Sequence, residues 1–227
     1  MRRFHWSGII LEGNMQQRTN EILEDLTVRL PKLNLCRKSI SMAFEALCGC
    51  FALGGKLMVC GNGGSGADAQ HIVGELMKEF ARKRELRGDL PVRLRQLFPE
   101  DRLETRLQAA LPAVALGANQ AFSSAYANDV DPEMVFAQEL YGFGREHDIL
   151  LALSTSGNSS NVLNAVKVAK AMGIQSIGIC GRDGGMLRKL CDTCILLPET
   201  ETYLVQELTL PVYHALCRMV EEHFWGT

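Results

Sequence analysis

Five short apolar runs separated by helical patterns constrain the fold of this chain more than any other feature. The runs are continuous rather than alternating, and they lie at residues 56–61, 111–117, 148–154, 175–181 and 193–199. Continuous runs are typical of strands that are covered on both faces of a sheet. Helical patterns lie before, between and after them, at residues 14–53, 66–81, 132–144, 158–173 and 203–224. This order predicts an α/β three-layer sandwich, in which a five-stranded parallel sheet is flanked by helices.

The composition is that of a globular protein without a strong charge bias. Of the 227 residues, 47% are hydrophobic and 22% are charged, and the net charge is −2. This charge argues against a surface built for nucleic acid. The apolar stretches are too short for a membrane span or a signal sequence. We therefore expect a soluble, cytoplasmic protein that binds neither nucleic acid nor membrane.

Two pairs of cysteines have a spacing that occurs in zinc sites. Cys48 and Cys50 form one pair, and Cys191 and Cys194 form the other. Four thiolates can together bind a structural zinc ion. However, the first pair lies in an apolar helical pattern and the second leads into an apolar strand. We therefore interpret these cysteines as buried and reduced, since a free cysteine behaves as a small hydrophobic residue.

Two segments fall outside the alternating pattern. Residues 1–14 are interpreted as an N-terminal extension of a single domain at 15–227, and residues 82–108 as a charged insert within it. The insert contains eight basic and five acidic side chains and two prolines. This composition favours a solvated loop with short helices. A lid or a subunit contact is the second alternative, and a nucleic-acid patch is the third, because acidic side chains are interspersed.

A glycine-rich loop follows the first apolar run. Gly61, Gly63 and Gly66 have the spacing of a dinucleotide-binding loop, but the next run ends at Gly117 rather than at the acidic residue that such a site needs. A P-loop is also excluded, because no lysine follows the glycines in the required position. Ser65 lies where the strand passes into the helix, and a helix N-terminus favours an anion. The loop is therefore either a phosphate site or a tight turn that binds nothing.

A second loop of similar character favours the phosphate interpretation. It follows the third apolar run and contains the hydroxyl residues Ser154, Thr155, Ser156 and Ser159. Hydroxyls in this position can simply cap the next helix. Two such loops, each at the carboxyl end of a parallel strand, predict a shared ligand such as a phosphate monoester.

Four further residues have a spacing that suits catalysis. His71 and Glu75 are four residues apart, and Gln206 and His214 are eight apart in the last helical pattern. Each pair therefore shares one face of a helix. An exposed ion pair or a core histidine would also explain the first pair. Together the four residues could act as acid and base near a sugar phosphate, or they could bind zinc.

Several motifs taken together resemble one protein family. They are "CGNGGSGADAQHIVGEL" at 60–76, "AYANDV" at 125–130, "LLALSTSGNSSNV" at 150–162 and "VQELTLPVYH" at 205–214. Over residues 15 to 225 the chain resembles the SIS (sugar isomerase) family, and within it the sedoheptulose 7-phosphate isomerases, also called phosphoheptose isomerases.

The resemblance implies a set of functional residues. For substrate binding these are Asn62, Gly63, Gly64, Ser65, Asn119, Ser154, Thr155, Ser156, Ser159 and Gln206. For zinc they are His71, Glu75, Gln206 and His214. Glu75 and His214 would be the acid/base pair. Family members are homotetramers with active sites at subunit interfaces, so the resemblance also implies a homotetramer, or a dimer, whose two site helices come from different chains.

The chain departs from the family at four positions. Glu79 and Leu204 stand where the family often has arginine, Asn119 stands where it often has aspartate, and Pro211 is expected to interrupt and kink the last helix. The predicted function is conversion of sedoheptulose 7-phosphate to D-glycero-D-manno-heptose 7-phosphate through an enediol or enediolate. A non-catalytic SIS module, acting as a sugar-phosphate sensor or a protein scaffold, is the alternative. A different sugar-phosphate enzyme on the same fold, acting on an amino sugar or a shorter ketose, is a third.

Overall fold

The computed structural model describes residues 12–226, and its centre is a five-stranded sheet. The strands are β1 (Leu57–Cys60), β2 (Ala113–Ala115), β3 (Ile149–Leu153), β4 (Gln175–Cys180) and β5 (Thr193–Leu196). They lie in the order β2-β1-β3-β4-β5, and every neighbouring pair is parallel. The predicted five-stranded parallel sheet is therefore confirmed.

The helices of the described chain cover both faces of this sheet. They are α1 (Glu12–Arg29), α2 (Arg37–Ala52), α3 (Gly64–Met77), α4 (Leu90–Leu97), α5 (Gln120–Asp129), α6 (Val135–Phe143), α7 (Ser160–Ala171), α8 (Leu187–Leu190) and α9 (Thr202–Trp225). Short 3-10 turns lie at Pro31–Cys36, Leu103–Thr105 and Pro132–Met134. Helix α5 was not predicted, because every residue in it is exposed or half-buried, so no apolar stripe marks it.

The core consists of two apolar clusters, one on each face of the sheet. Strand β3 is buried along its whole length and serves both clusters. Its Leu151 packs with residues of α2, α3 and α9, whereas its Leu150 packs with residues of α6 and α7. Successive side chains of a strand point to opposite faces, which explains why the run is continuously apolar. The three-layer arrangement is therefore confirmed.

Helix α9 continues through Pro211, so the predicted interruption is wrong, whereas the predicted kink stays a prediction. The helix runs without a break from Thr202 to Trp225, with the proline inside it. An internal proline costs about 3 kcal/mol in a helix, because it removes one backbone hydrogen bond and crowds the preceding turn. Most of the helix after Pro211 is buried, including Val212 and Tyr213. We attribute the continuity of α9 to this packing, which outweighs the local preference.

The charged insert is exposed along most of its length, but its first part is anchored in the core. Helix α4 contains no buried residue. In contrast, Arg84 is only 1% exposed. Its Nε donates to Glu221 Oε1 at 2.6 Å, and its two Nη atoms donate to the carbonyl oxygens of Leu76 and Glu75 at 2.6 and 3.0 Å. These carbonyls belong to the last turn of α3. The Arg84 side chain, near the start of the insert, therefore caps the C-terminal end of that helix.

Two further sequence-based expectations concern the cysteines and the N-terminus. Cys48 and Cys50 are buried in α2, as predicted. Cys191 and Cys194 are free thiols, as predicted, but they are only partly buried, so the predicted burial is wrong for this pair. The predicted extension at 1–14 lies almost wholly outside the described residues, although residues 12–14 belong to α1. None of the helices within residues 12–226 is long and apolar enough to cross a membrane.

Candidate active site

The first and second glycine- and serine-rich loops lie side by side, because β1 and β3 are neighbours in the sheet. Their contact is a reciprocal pair of amide hydrogen bonds between Asn62 and Asn161, each 2.8 Å long. Gly63, which precedes α3, has a φ of 53°, a conformation that glycine adopts without strain. The N-termini of α3 and α7 therefore meet at one edge of the sheet, where their dipoles favour an anion.

The serines of the two loops have different surroundings. Ser154 Oγ and Ser159 Oγ are 3.0 Å apart. Ser159 is the N-cap residue of α7, yet its side chain makes no capping hydrogen bond within the described chain. Thr155 and Ser156 are half-buried, whereas Ser65 is buried in the first turn of α3. The second loop therefore presents the more accessible hydroxyls.

Asn119 lies after β2, on the far side of β1 from the second loop. It is the N-cap of α5, and its Oδ1 accepts a hydrogen bond from the backbone N–H of Phe122 at 3.2 Å. The side chain is exposed. One lone pair of Oδ1 and the amide NH₂ group stay available for a ligand, because an amide oxygen has two lone pairs.

His71 and Glu75 are in direct contact on α3. His71 Nε2 lies 3.1 Å from Glu75 Oε1, and Lys78 Nζ donates to Glu75 Oε2 at 3.0 Å. The Glu75 side chain is only 11% exposed, against 58% for Lys78. Each oxygen of this shielded carboxylate therefore has a partner, one an imidazole and the other an ammonium group.

The second nitrogen of His71 contacts α9. Its Nδ1 lies 2.9 Å from the hydroxyl of Tyr213, and the same hydroxyl donates to Asp68 Oδ1 at 3.1 Å. Burial raises the pKa of Asp68, and the hydrogen bond from Tyr213 acts in the opposite direction. Together with the contacts of Glu75, these bonds form one continuous network, which we call the α3–α9 network: Asp68, Tyr213, His71, Glu75 and Lys78.

His214 lies against this network. Its ring is nearly perpendicular to that of His71, with the centroids 5.0 Å apart, and it also contacts the ring of Phe80 at 5.3 Å. Burial lowers the pKa of His214, and the neighbouring His71 lowers it further. At neutral pH the imidazole is therefore uncharged. Its Nε2 is buried and has no hydrogen-bond partner among residues 12–226, which is unusual for a polar atom in a protein interior.

Gln206 lies at the other end of α3. Its Nε2 is 2.7 Å from the point where a Cβ would stand on Gly64, so a side chain at that position would displace the Gln206 amide. Gly64 precedes His71 by two turns of α3, about 10 Å along the helix. Gln206 therefore reaches the first glycine loop, whereas His214 reaches His71.

The two site helices, α3 and α9, meet within one chain in this structure. The resemblance implied that they come from different chains, but a second chain is not needed for this contact. The structure brings His71 into contact with Glu75 and with His214, and it places Gln206 at the first glycine-rich loop. Within the described part of the chain, no group of three or more His, Cys, Asp or Glu side chains is arranged to hold a metal ion.

Several residues of the site were not singled out from the sequence. They are Asn161, Asp68, Lys78, Phe80 and Tyr213. Asp68 and Lys78 each lie one helical turn from a predicted site residue, so helical spacing could have found them. Tyr213 directly precedes His214 in the sequence, but neighbours in a helix point in different directions. Its contact with His71 depends on how α9 packs against α3, and the sequence pattern carries no signal for that.

Two helix N-termini meet at one edge of the sheet, where their dipoles favour an anion, and α3 also carries a shielded carboxylate and an imidazole in contact. These features are typical of a protein that binds a phosphorylated small molecule and can move a proton on it. The comparisons with known proteins specify this class. The family model described as SIS domain matches residues 124–219. The chain belongs to the phosphoheptose isomerase family, as its relatives show.

Two curated relatives and one solved structure illustrate the similarity. The phosphoheptose isomerase of Campylobacter jejuni is 36% identical over 84% of this chain and 89% of its own length. That of Crocosphaera subtropica is 40% identical over 78% of each chain. The structure of a phosphoheptose isomerase from Francisella tularensis, at 28% identity, has a TM-score of 0.70 and covers 91% of this chain and 97% of its own. The predicted family is therefore confirmed.

Proposed function

We propose that this protein is an aldose–ketose isomerase that converts sedoheptulose 7-phosphate to D-glycero-D-manno-heptose 7-phosphate. The observation that carries the proposal is the contact of His71 with Glu75 and with His214, on the helix that begins at the first glycine-rich loop. Family membership supports the reaction class, since the relatives are named phosphoheptose isomerases.

The paired loops would bind the phosphate and orient the sugar. The helix N-termini of α3 and α7 favour the phosphate, and the loop hydroxyls offer hydrogen-bond donors. Gln206 and Asn119 would bind sugar hydroxyls, because both amides lie at the carboxyl edge of the sheet. Binding far from the reacting carbons supplies orientation, which lowers the entropic part of the barrier.

Glu75 and His214 would transfer the proton. In the forward direction, Glu75 removes a proton from C1 of the ketose, the electrons of that bond form the C1–C2 double bond, and the carbonyl oxygen at C2 takes up negative charge. The uncharged imidazole of His214 suits donation of a hydrogen bond or a proton to that oxygen, because its lowered pKa keeps it neutral. Reprotonation at C2 and release of the proton from the C1 hydroxyl complete the aldose.

Glu75 must be partly released before it can act as a base. Its Oε1 faces His71 Nε2 and its Oε2 accepts from Lys78. Lys78 is the more exposed partner and the more easily displaced, since an exposed ion pair contributes about 0–1 kcal/mol. We therefore infer that Oε2 is the atom that reaches the substrate.

Zinc is part of this proposal. Imidazole and carboxylate groups are zinc ligands, and the unpartnered Nε2 of His214 has a lone pair to offer. His71, Glu75, Gln206 and His214 would hold the ion, and these side chains would have to move together to do so. When bound, zinc supplies a Lewis acid that polarises the sugar carbonyl.

The test is an isomerase assay with sedoheptulose 7-phosphate and a panel of other ketose phosphates, run with a chelator and with added zinc. Glu75→Gln and His214→Ala should each reduce kcat by about 100-fold or more. Both should still bind the phosphate ester, because the loops are unchanged. Substitution of the exposed Glu45 on α2 by Ala is the control and should leave kcat unchanged. Normal turnover in either site variant would refute the assigned roles.

The second candidate is a non-catalytic module that binds a sugar phosphate. It is favoured by the fact that both Glu75 oxygens are already engaged, and by Glu79 and Leu204 in place of the family's arginines. Binding of sedoheptulose 7-phosphate without turnover of any ketose phosphate, with or without zinc, would favour this candidate.

Self-association is also proposed, as a homotetramer or a dimer. Apolar side chains on and after α4 are exposed in the single chain, among them Val92, Leu97 and Phe98. Contiguous exposed apolar surface commonly marks a protein interface. Light scattering on the purified protein measures the number of chains directly, and a monomer at working concentration would contradict this part of the proposal.

A further inference from the structure

Glu139 is a buried carboxylate that the proposed mechanism does not use. Its residue exposure is 6%, and it lies on α6, the helix of the core residues Phe136 and Leu140. Burial raises the pKa of Glu139, and among residues 12–226 only the hydrogen bond from the backbone N–H of Gly117 acts in the opposite direction. A buried carboxylate without a neighbouring cation is costly. Packing alone therefore does not explain a glutamate at this position.

The carboxylate contacts the loop that follows β2. Glu139 Oε2 accepts a hydrogen bond from the backbone N–H of Gly117. Gly117 has a φ of 82°, and a Cβ on it would lie 2.6 Å from Cε1 of Phe136. A glycine tolerates both this conformation and this close approach. Helix α6 therefore holds the loop at one residue, by the hydrogen bond to Glu139 and by the ring of Phe136.

The same loop leads to Asn119, the predicted substrate-binding amide. Asn119 is the N-cap of α5, and this helix contains no buried residue. Apolar packing, which supplies most of the stability of helices in proteins, therefore contributes little to holding α5 in place. At this end of α5, Ser123 Oγ donates to the carbonyl oxygen of Gly117 at 3.3 Å, whereas the bond of Tyr126 to Gln138 lies about two turns beyond Asn119. The position of Asn119 therefore depends on that of Gly117.

We propose that Glu139 is a positioning residue that fixes the loop at 117–119 and thereby directs the amide of Asn119 towards the sugar. Glu139 acts through Gly117 and does not touch the substrate. A carboxylate suits this task, because a charged acceptor makes a stronger hydrogen bond to an N–H group than a neutral one does. The consequence for sugar binding rests on the proposed isomerase function, whereas the anchoring of the loop does not.

The direct test is hydrogen–deuterium exchange followed by mass spectrometry, read in peptides that contain Gly117. We expect Glu139→Met to speed exchange of this amide about tenfold, because the side chain keeps its length and loses the acceptor. Glu139→Gln should keep most of the protection, since an amide oxygen can still accept the hydrogen bond. Equal exchange in the native protein and in Glu139→Met would overturn the proposal, and this measurement needs neither substrate nor activity.

The same two variants test the consequence for the sugar. In Glu139→Met we expect KM for sedoheptulose 7-phosphate to rise about fivefold, the size expected for loss of one hydrogen bond, with kcat within about twofold. Glu139→Gln should recover most of the native KM. Tm should change little in either variant, because removal of a buried charge offsets the lost hydrogen bond. A native KM in Glu139→Met would overturn the proposal.

A double-mutant cycle with Asn119→Ala tests whether Glu139 acts through Asn119. In the Asn119→Ala background, Glu139→Met should raise KM less than about twofold further, because the group that it positions is gone. Fully additive effects on KM would overturn the proposal.

Glu146→Met is the control for loss of a glutamate, because the Glu146 side chain is 88% exposed. It should leave both the exchange at Gly117 and KM unchanged. If the native protein turns over no sugar phosphate, the isomerase proposal fails, and hydrogen exchange still decides whether Glu139 anchors the loop.

Discussion

The carboxylate of Glu221 lies outside the candidate active site and accepts four hydrogen bonds that stabilise the fold. It accepts hydrogen bonds from the backbone N–H groups at 80, 81 and 82, at 2.8, 2.7 and 3.0 Å, and from Arg84 Nε at 2.6 Å. Both side chains of the pair are fully buried. Glu221→Ala therefore leaves a guanidinium group in the core without its counter-charge, next to the ring of Trp225 at 4.9 Å.

The expected cost follows from these contacts. Removing one partner of a buried ion pair costs about 3–5 kcal/mol. The three backbone N–H groups would each add about 1–3 kcal/mol if they stayed buried. They lie at the start of the exposed insert and can regain water, so we expect a total of about 4 kcal/mol. For a chain of this size, that corresponds to a decrease in Tm of about 8–16 °C.

The assay is urea unfolding monitored by circular dichroism. Glu45→Ala is the control for loss of an exposed carboxylate. A double-mutant cycle with Arg84→Met isolates the pair. The double variant should be more stable than the sum of the two single effects predicts, by about 2 kcal/mol, because it leaves no unpaired guanidinium group. Activity should fall as well, because Arg84 also binds the last carbonyls of α3, the helix of Glu75.

A loss of less than about 1 kcal/mol in Glu221→Ala would refute this reasoning, since a surface substitution commonly has an effect of that size. An additive cycle would also refute it. In that case the two residues would contribute independently, and the contact between them would have no energetic consequence.

Two further predictions concern exposed and half-buried charges. Lys78→Met should raise kcat by up to about fivefold, because Oε2 no longer has to be released from an ion pair that contributes about 1 kcal/mol or less, and stability should change by no more than that amount. A lowered kcat would contradict this. Burial lowers the pKa of His223 from 6.5, so its stabilising contribution is present above 6.5 and is lost as the pH falls through the lower folded-state value. His223→Gln should therefore lose less stability than the native protein between pH 7 and pH 5 in urea titrations, and equal losses would argue against this contribution.

The contrast between the two ion pairs shows how burial decides the role of a charge. Lys78 is more than half exposed, so water screens its end of the pair with the shielded Glu75 and the contact can open during turnover. Arg84 and Glu221 are sealed from water, so neither can lose its partner without a large penalty. The first pair therefore suits an active site whose contacts change during turnover. The second pair suits a permanent structural contact that holds the end of α3.

The fold could be predicted from the sequence because its signals are local. Continuous apolar runs mark buried parallel strands, and all five lie where the sheet has them. The helices α5 and α8 were not predicted. The residues of α5 are exposed or half-buried and show no apolar stripe, and α8 has only four residues. Pro211 is the opposite case, since a local rule predicted a break and the packing of α9 prevented it. In both cases the tertiary environment, rather than the local sequence, determined the outcome.

The sequence by itself determined the parts of the site that depend on helical spacing or on loop chemistry. The contact between His71 and Glu75 follows from a spacing of four residues in a helix. Only the tertiary structure decided that Tyr213 contacts His71 and that Gln206 lies against Gly64. Those contacts join residues more than 140 positions apart. The relative rotation of α3 and α9 sets them, and it is fixed by the packing of both helices on the sheet.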